Sequence, residues 1–204
     1  MLYSFFHCLA KIFFKIFFRL KVQGIENIPS KKGCIIVSNH ISFLDPIVVG
    51  AASFRKINFL ARESLFKNYF FRKFLRSLNA IPLVRNSSDF RALRCALAKL
   101  KQNKVIVLFP QGTRGGDWQR IKGGAGFLAH EANVSIIPAY IKGTDKALPR
   151  GAKFIRFCPI VVYFGQRIIP SEFVKNSKKE NIQRINAEIL KKVKELGELS
   201  TIAV

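Results

Sequence analysis

Residues 34–46 read CIIVSNHISFLDP, and the fold turns on how this stretch changes structure. Four apolar residues, Cys34 to Val37, make a short run with the length and β-branching of a buried strand. Pro46 favours the first position of a helix and disfavours the α conformation for the residue before it. A helix therefore begins near Asp45 or Pro46 and runs toward Ser53, with Asp45 as its N-cap. His40 falls in the turn between strand and helix. On a helix, His40 and Asp45 would diverge by about 140°, so they meet only if the chain turns back between them. Two readings stay open. Ser42 and Asp45 form a capping box that satisfies helix-end amides, or Asp45 orients the His40 imidazole and leaves its other nitrogen to take a proton.

The same alternation continues outward. Strands are expected at 58–60, 80–84, 105–109, 135–141 and, broken by Pro159, at 154–164. Helices are expected at 64–77, 88–101, 124–133 and 176–196, and the second of them opens on Ser-Ser-Asp. Strands that alternate with helices imply an α/β class, a single layered domain built on a mostly parallel sheet. There is no internal repeat and no low-complexity linker. Residues 21–204 form this domain, and residues 1–20 form a separate anchor.

At 204 residues the chain supports one full core. Its 35 lysines and arginines against 12 acids give a net charge of +23, which predicts an anionic partner: nucleic acid, anionic lipid or a phosphorylated substrate. The 20 phenylalanines favour lipid. Cys8, Cys34, Cys95 and Cys158 form no CxxC pair and read as reduced packing residues in a reducing compartment. With three histidines, no metal cluster is expected.

MLYSFFHCLAKIFFKIFFRL (1–20) carries His7, Lys11, Lys15 and Arg19 as one basic stripe on an otherwise apolar helix. A spanning helix needs about 20 apolar residues, and Lys11 near the bilayer centre would cost roughly 3 kcal/mol. An interfacial amphipathic helix on an anionic membrane surface fits better. Between residues 54 and 76, Phe54, Phe59, Phe66, Tyr69, Phe70, Phe71 and Phe74 alternate with Arg55, Lys56, Arg62, Lys67, Arg72, Lys73 and Arg76. They are expected to divide between an apolar groove, an anionic surface and plain core.

VIVLFPQGTRGG (105–116) sends a strand into Pro110 and a glycine loop. Glycine lets backbone amides approach an anion, and the Arg114 guanidinium is a planar fork of donors for phosphate. Arg85 leaves the end of the strand at 80–84. In a parallel sheet the exits of these strands share one edge, where ligands of α/β sheets bind.

These blocks, in this order, resemble the glycerolipid acyltransferase family that includes 1-acyl-glycerol-3-phosphate acyltransferases. The resemblance rests on Asn39-His40 with Asp45, on Arg85, on Phe109-Pro110-Gln111-Gly112-Thr113-Arg114, and on SIIPAYIKGT around Pro138. It covers roughly residues 20 to 165. It implies a glycerol-3-phosphate acyltransferase-like fold, His40 as general base, Asp45 as its orienting partner, and Arg85 and Arg114 as phosphate binders. The family's usual glutamate is Gln111 here, and Gly115 replaces a common serine or threonine. Gln111 carries no charge and is assigned to substrate positioning, beside the backbone of Gly112 and Thr113.

The reaction so implied moves an acyl chain from a thioester, acyl-CoA or acyl carrier protein, to the free hydroxyl of lysophosphatidic acid. It needs no cofactor and no metal, and it places the protein at the cytoplasmic face of a membrane. Another lysophospholipid acceptor is the nearest alternative. A basic nucleic-acid-binding protein, an idle membrane-binding module and a Ser42 hydrolase are the more distant ones. The Phe-rich amino terminus argues against nucleic acid.

Overall fold

The computed structural model describes residues 2–84, 90–111, 123–174 and 177–202. Strands β1 (Lys21–Gln23), β2 (Cys34–Ser38), β3 (Ile57–Arg62), β4 (Ala80–Leu83), β5 (Val105–Leu108), β6 (Ser135–Lys142) and β7 (Val161–Phe164) form one sheet. Its order is β1-β7-β6-β2-β5-β3-β4. From β6 to β4 every pairing is parallel, and β7 meets β6 antiparallel at Tyr140↔Tyr163. The sheet is mostly parallel, as expected from the alternation of elements.

The period of two along β2 explains the layering. Cys34 and Ile36 pack into one apolar cluster with Val48, Val49, Val107 and Ile137. Ile35 and Val37 face the other side, among Ala96, Leu100, Leu128, Ile185 and Ile189. Helices α1 (Leu2–Phe17), α2 (Asp45–Ala52) and α3 (Tyr69–Ser77) supply residues to the first cluster. Helices α4 (Phe90–Lys101), α5 (Gly124–Ala132) and α7 (Lys178–Ile202) supply the second, and the one-turn α6 (Thr144–Ala147) follows β6. A strand buried on both faces reads as a continuous apolar run, which is why CIIV shows no polar alternation.

Several boundaries differ from expectation for identifiable reasons. The helix expected at 64–77 divides into a 3-10 turn, Glu63–Phe66, and α3. Asn68 sits immediately before α3, and its carbonyl accepts the Arg72 N–H at 2.9 Å, so a residue suited to N-caps starts a new helix. The strand expected at 154–164 shortens to β7, because Pro159 has no N–H and the Arg156 N–H bonds instead to the Ala147 carbonyl at 2.8 Å. Helix α7 runs to Ile202, six residues beyond the expected 196. Its start is a reciprocal capping box: Glu180 N–H to Ser177 Oγ at 3.4 Å and Ser177 N–H to Glu180 Oε2 at 3.2 Å.

Three side-chain expectations need correction. His7 does not join an outward basic stripe: its Nε2 lies 3.0 Å from the Gly50 carbonyl and 2.9 Å from that of Ser53, tethering α1 to the end of α2. Arg55 is tied to the main chain of its own domain. Its guanidinium donates to the carbonyls of Pro29, Lys32 and Asn103, at 2.7, 2.5 and 2.6 Å, near the entries of β2 and β5. Of the cysteines, Cys34 is buried and Cys158 half-buried, whereas Cys8 and Cys95 lie exposed.

Candidate active site at the exits of β2 and β5

Strand β2 ends at Ser38, and the next two residues do different work. The Asn39 carboxamide is buried and pairs with the main chain of Ile141: Nδ2–H donates to the carbonyl at 2.8 Å, and Oδ1 accepts the N–H at 2.7 Å. It prolongs the β2–β6 ladder by one side-chain rung, so the chain can leave the sheet without stranding polar groups. His40 then turns out of the strand direction.

Asp45 reaches back across the turn. Its Oδ2 accepts the N–H groups of Ile41 at 2.7 Å and Ser42 at 2.8 Å, and lies 2.9 Å from His40 Nδ1. An oxygen that already accepts two amides meets Nδ1 as a third donor, which leaves the lone pair on Nε2. The Asp45 side chain is fully buried (0% exposed) and that of His40 is 18% exposed. Only the carboxylate half of the capping box forms: Asp45 accepts the Ser42 N–H and also meets the histidine, while Ser42 Oγ accepts the Leu44 N–H at 3.3 Å and not that of Asp45. Asp45 is the first residue of α2, and Leu44, already helical at φ −75° and ψ −21°, stands at the N-cap position. The expected boundary shifts by one residue because the carboxylate pulls the turn tight before Pro46.

Strand β5 completes the frame. The Phe109 ring stacks on the His40 imidazole, centroids 4.4 Å apart and planes 29° from parallel. Two residues on, Gln111 Oε1 accepts the His40 backbone N–H at 2.8 Å. Ser42 Oγ is buried and donates to the Leu148 carbonyl at 2.9 Å, bracing the turn. The structure thus brings together His40, Asp45 and Gln111. Arg85, Gly112, Thr113 and Arg114 lie outside the described residues. Leu83 ends β4, and β4 runs parallel to β2 and β5 within the same sheet, so Arg85 follows a strand that exits at the same end.

Sequence reasoning missed three supporting groups. Asn39 and Phe109 stand in the sequence only as letters of a motif, and Ser42 only as a cap or a distant nucleophile candidate. Nothing in the local sequence names their partners, Ile141, His40 and Leu148. An apolar groove between α1 and α2 is lined by Phe6, Ala10, Pro46, Ile47, Phe59 and Leu78. Of the phenylalanine set between residues 54 and 74, Phe59 lines this groove, Phe66 packs on the core, and Phe54, Tyr69 and Phe70 are exposed. The His130 side chain in α5 lies 3.4 Å from that of its neighbour Glu131, as an ordinary helix residue. Among the described residues no group of His, Cys, Asp and Glu could hold a metal ion.

Known proteins share this architecture. The sequence model of the Acyltransferase family matches residues 19–142. The 1-acyl-sn-glycerol-3-phosphate acyltransferase of Bacillus subtilis (strain 168) is 24% identical over 178 residues, which cover 87% of each chain. The chloroplastic 1-acyl-sn-glycerol-3-phosphate acyltransferase BAT2 of Brassica napus is 30% identical over 161 residues, covering 74% of this chain and 46% of the plant protein. The crystal structure of the 1-acyl-sn-glycerophosphate (LPA) acyltransferase PlsC from Thermotoga maritima superposes with a TM-score of 0.76 at 27% identity. That alignment covers 96% of this chain and 79% of the other.

Proposed function

This chain belongs to the Acyltransferase family, and we propose that it transfers a fatty acyl group from a thioester to the free hydroxyl of lysophosphatidic acid, forming phosphatidic acid. The observation that carries this reading is the imidazole of His40, held at Nδ1 by buried Asp45 and presenting Nε2 as the basic nitrogen. The names of the similar proteins supply the acceptor.

The acceptor hydroxyl is the nucleophile. As its oxygen attacks the thioester carbonyl, His40 Nε2 takes the proton, a contribution of about 10²–10⁴-fold. The imidazolium so formed is stabilised by Asp45. When the tetrahedral intermediate collapses, the C–S bond breaks and the imidazolium returns the proton to the leaving thiolate. Arg85 and Arg114 are assigned to the acceptor phosphate, and the Gly112 and Thr113 amides to the reacting oxygens. The groove beginning at Pro46 and Ile47 adjoins Asp45 in the chain and is apolar enough for an acyl chain.

The membrane is the source of the acceptor, and α1 is built to meet it. Phe6, His7, Ala10 and Phe14 are turned toward the domain, while Phe5, Leu9, Ile12, Phe13, Ile16 and Phe17 form an exposed apolar face beside exposed Lys11 and Lys15. No helix among the described residues is long and apolar enough to cross a membrane. An interfacial seat on the anionic, cytoplasmic face fits these facts and the net charge of +23.

The test is phosphatidic acid formation by wild type and His40→Ala, offered lysophosphatidic acid with acyl-CoA and, separately, with acyl carrier protein thioester. Product from wild type that is lost in the folded variant supports the reading and identifies the donor. A wild type inactive with both donors, yet active on a different lysophospholipid, would overturn the choice of acceptor.

A further inference from the structure

Residues 148–157 read LPRGAKFIRF: three cations, three large apolar side chains after position 153, and no acid. Phe154 is 82% exposed, Phe157 62% and Ile155 46%. A folded domain gains nothing by presenting three such side chains to water on one short segment. The segment is not loose. Its first residue accepts Ser42 Oγ from the catalytic turn at 2.9 Å, and the Arg156 N–H is bonded to the Ala147 carbonyl at 2.8 Å. At its far end the Phe157 ring packs on Phe17 and Phe18, with centroids 5.2 and 5.4 Å apart. Through Phe17, the exposed apolar face of α1 continues directly into Phe157. The flanking charges, Arg150, Lys153 and Arg156 on the segment and Lys11, Lys15 and Arg19 on the helix, are all positive and all exposed.

We infer that Phe154-Ile155-Arg156-Phe157 is a second membrane-inserting element, which with the outer face of α1 seats the catalytic turn on an anionic lipid bilayer. This rests on the proposed use of a membrane-borne acceptor. Apolar side chains set among cations are what an anionic interface rewards: hydrocarbon for the rings and lipid phosphates for Arg150, Lys153 and Arg156. Two anchors far apart in sequence also do what one helix cannot, because a lone helix leaves the domain free to swivel about it. The Ser42–Leu148 hydrogen bond then links the depth of the segment to the position of His40.

The experiment uses the full chain and vesicles of phosphatidylcholine alone or equimolar with phosphatidylglycerol. Phe154→Ser/Ile155→Ser removes two side chains that lie outside the buried core. It is expected to lower partitioning onto the anionic vesicles at least about tenfold, with unchanged thermal unfolding. Activity on vesicle-borne lysophosphatidic acid falls in step, and activity on a short-chain, monomeric lysophosphatidic acid is kept. A Trp118→Phe/Phe154→Trp protein reports insertion directly: its emission moves to the blue and is quenched by brominated lipid. Vesicle binding by the double variant equal to wild type, with an unshifted Trp signal, overturns the inference even if the enzyme is active. So does a loss confined to reactions with an acidic carrier-protein donor, which would make the segment a protein-docking site. A wild type inactive on both forms of the acceptor refutes the functional reading instead, and leaves the vesicle and fluorescence results to decide the membrane contact.

Discussion

The backbone N–H of His40 donates to Gln111 Oε1 at 2.8 Å, so one side-chain bond joins the exits of β2 and β5 directly behind the imidazole. The family's usual residue at this position is a glutamate, and a carboxylate oxygen would accept the same N–H. The substitution keeps the accepting half of the group and drops only the charge. Gln111 is buried, 9% exposed, which suits an internal brace.

This relationship is testable by swapping the acceptor. Gln111→Glu should retain near wild-type kcat. Gln111→Leu leaves the His40 amide without its acceptor, a penalty of roughly 1–3 kcal/mol, and should lower kcat roughly tenfold or more with little change in KM. Steady-state kinetics of both variants decides it. Equal kcat in Gln111→Leu would show that the bond does not hold the histidine in place.

The pair His40 and Asp45 should separate chemistry from folding. His40→Ala loses about 10²–10⁴-fold in kcat with little loss of stability, since its side chain is partly exposed and Asp45 keeps its two amide donors. Asp45→Ala strands those amides in a buried turn and should destabilise by roughly 1–3 kcal/mol for each, in addition to losing activity. Denaturant unfolding beside kinetics separates the two effects. Equal stability of the two variants would show that Asp45 serves the histidine alone.

Arg85 and Arg114 are assigned to the acceptor phosphate, so their removal should appear in binding. Arg114→Ala should raise KM for lysophosphatidic acid more than it lowers kcat. Arg114→Lys should restore only part of it, because an ammonium cannot form the two parallel bonds of a guanidinium. An uncharged monoacylglycerol acceptor should respond to neither substitution. A matching loss on that acceptor would refute the assignment.

Asn39→Leu should unfold the β2–β6 junction more than its size change suggests. It removes both partners of the Ile141 amide, N–H and carbonyl, in a fully buried rung. The expected cost is roughly 1–3 kcal/mol for each orphaned group. Asn39→Asp keeps the acceptor and loses the donor, so it should fall between wild type and Asn39→Leu in chemical denaturation.

Thiol chemistry should distinguish the four cysteines. Burial pushes the Cys34 thiol up to about 12, and the half-buried Cys158 thiol is also raised, again chiefly by burial. The thiolate is the reactive species. At mildly alkaline pH, Cys8 and Cys95 should react quickly with a disulfide reagent, Cys158 slowly, and Cys34 only after unfolding. Rapid reaction of all four in the native protein would contradict the burial of Cys34.

The features of the fold legible in the sequence are those the chain encodes locally. Apolar runs of four to eight residues, set off by helical patterns, mark the layered class and the place of nearly every strand. Pro46 marks the start of α2 to within one residue. The boundaries that fail are those decided by a distant partner. The segment 154–160 leaves the sheet because the Arg156 amide finds Ala147, and His7 leaves the basic stripe because carbonyls at the end of α2 stand within reach.

The candidate site divides in the same way. His40 and Asp45 lie five residues apart, so a turn and a proline within the stretch are enough to suggest their meeting. Gln111, Phe109, Ile141 and Leu148 reach that turn from positions 69 to 106 residues beyond their partners. Their pairing depends on strand order, which local pattern does not encode. Sequence by itself determined that this is a basic, Phe-rich α/β protein with a histidine and a carboxylate at a strand exit. Only the tertiary structure decided that β5 and β6 both flank β2, because parallel neighbours are chosen by how whole faces bury their apolar surface, not by adjacency along the chain.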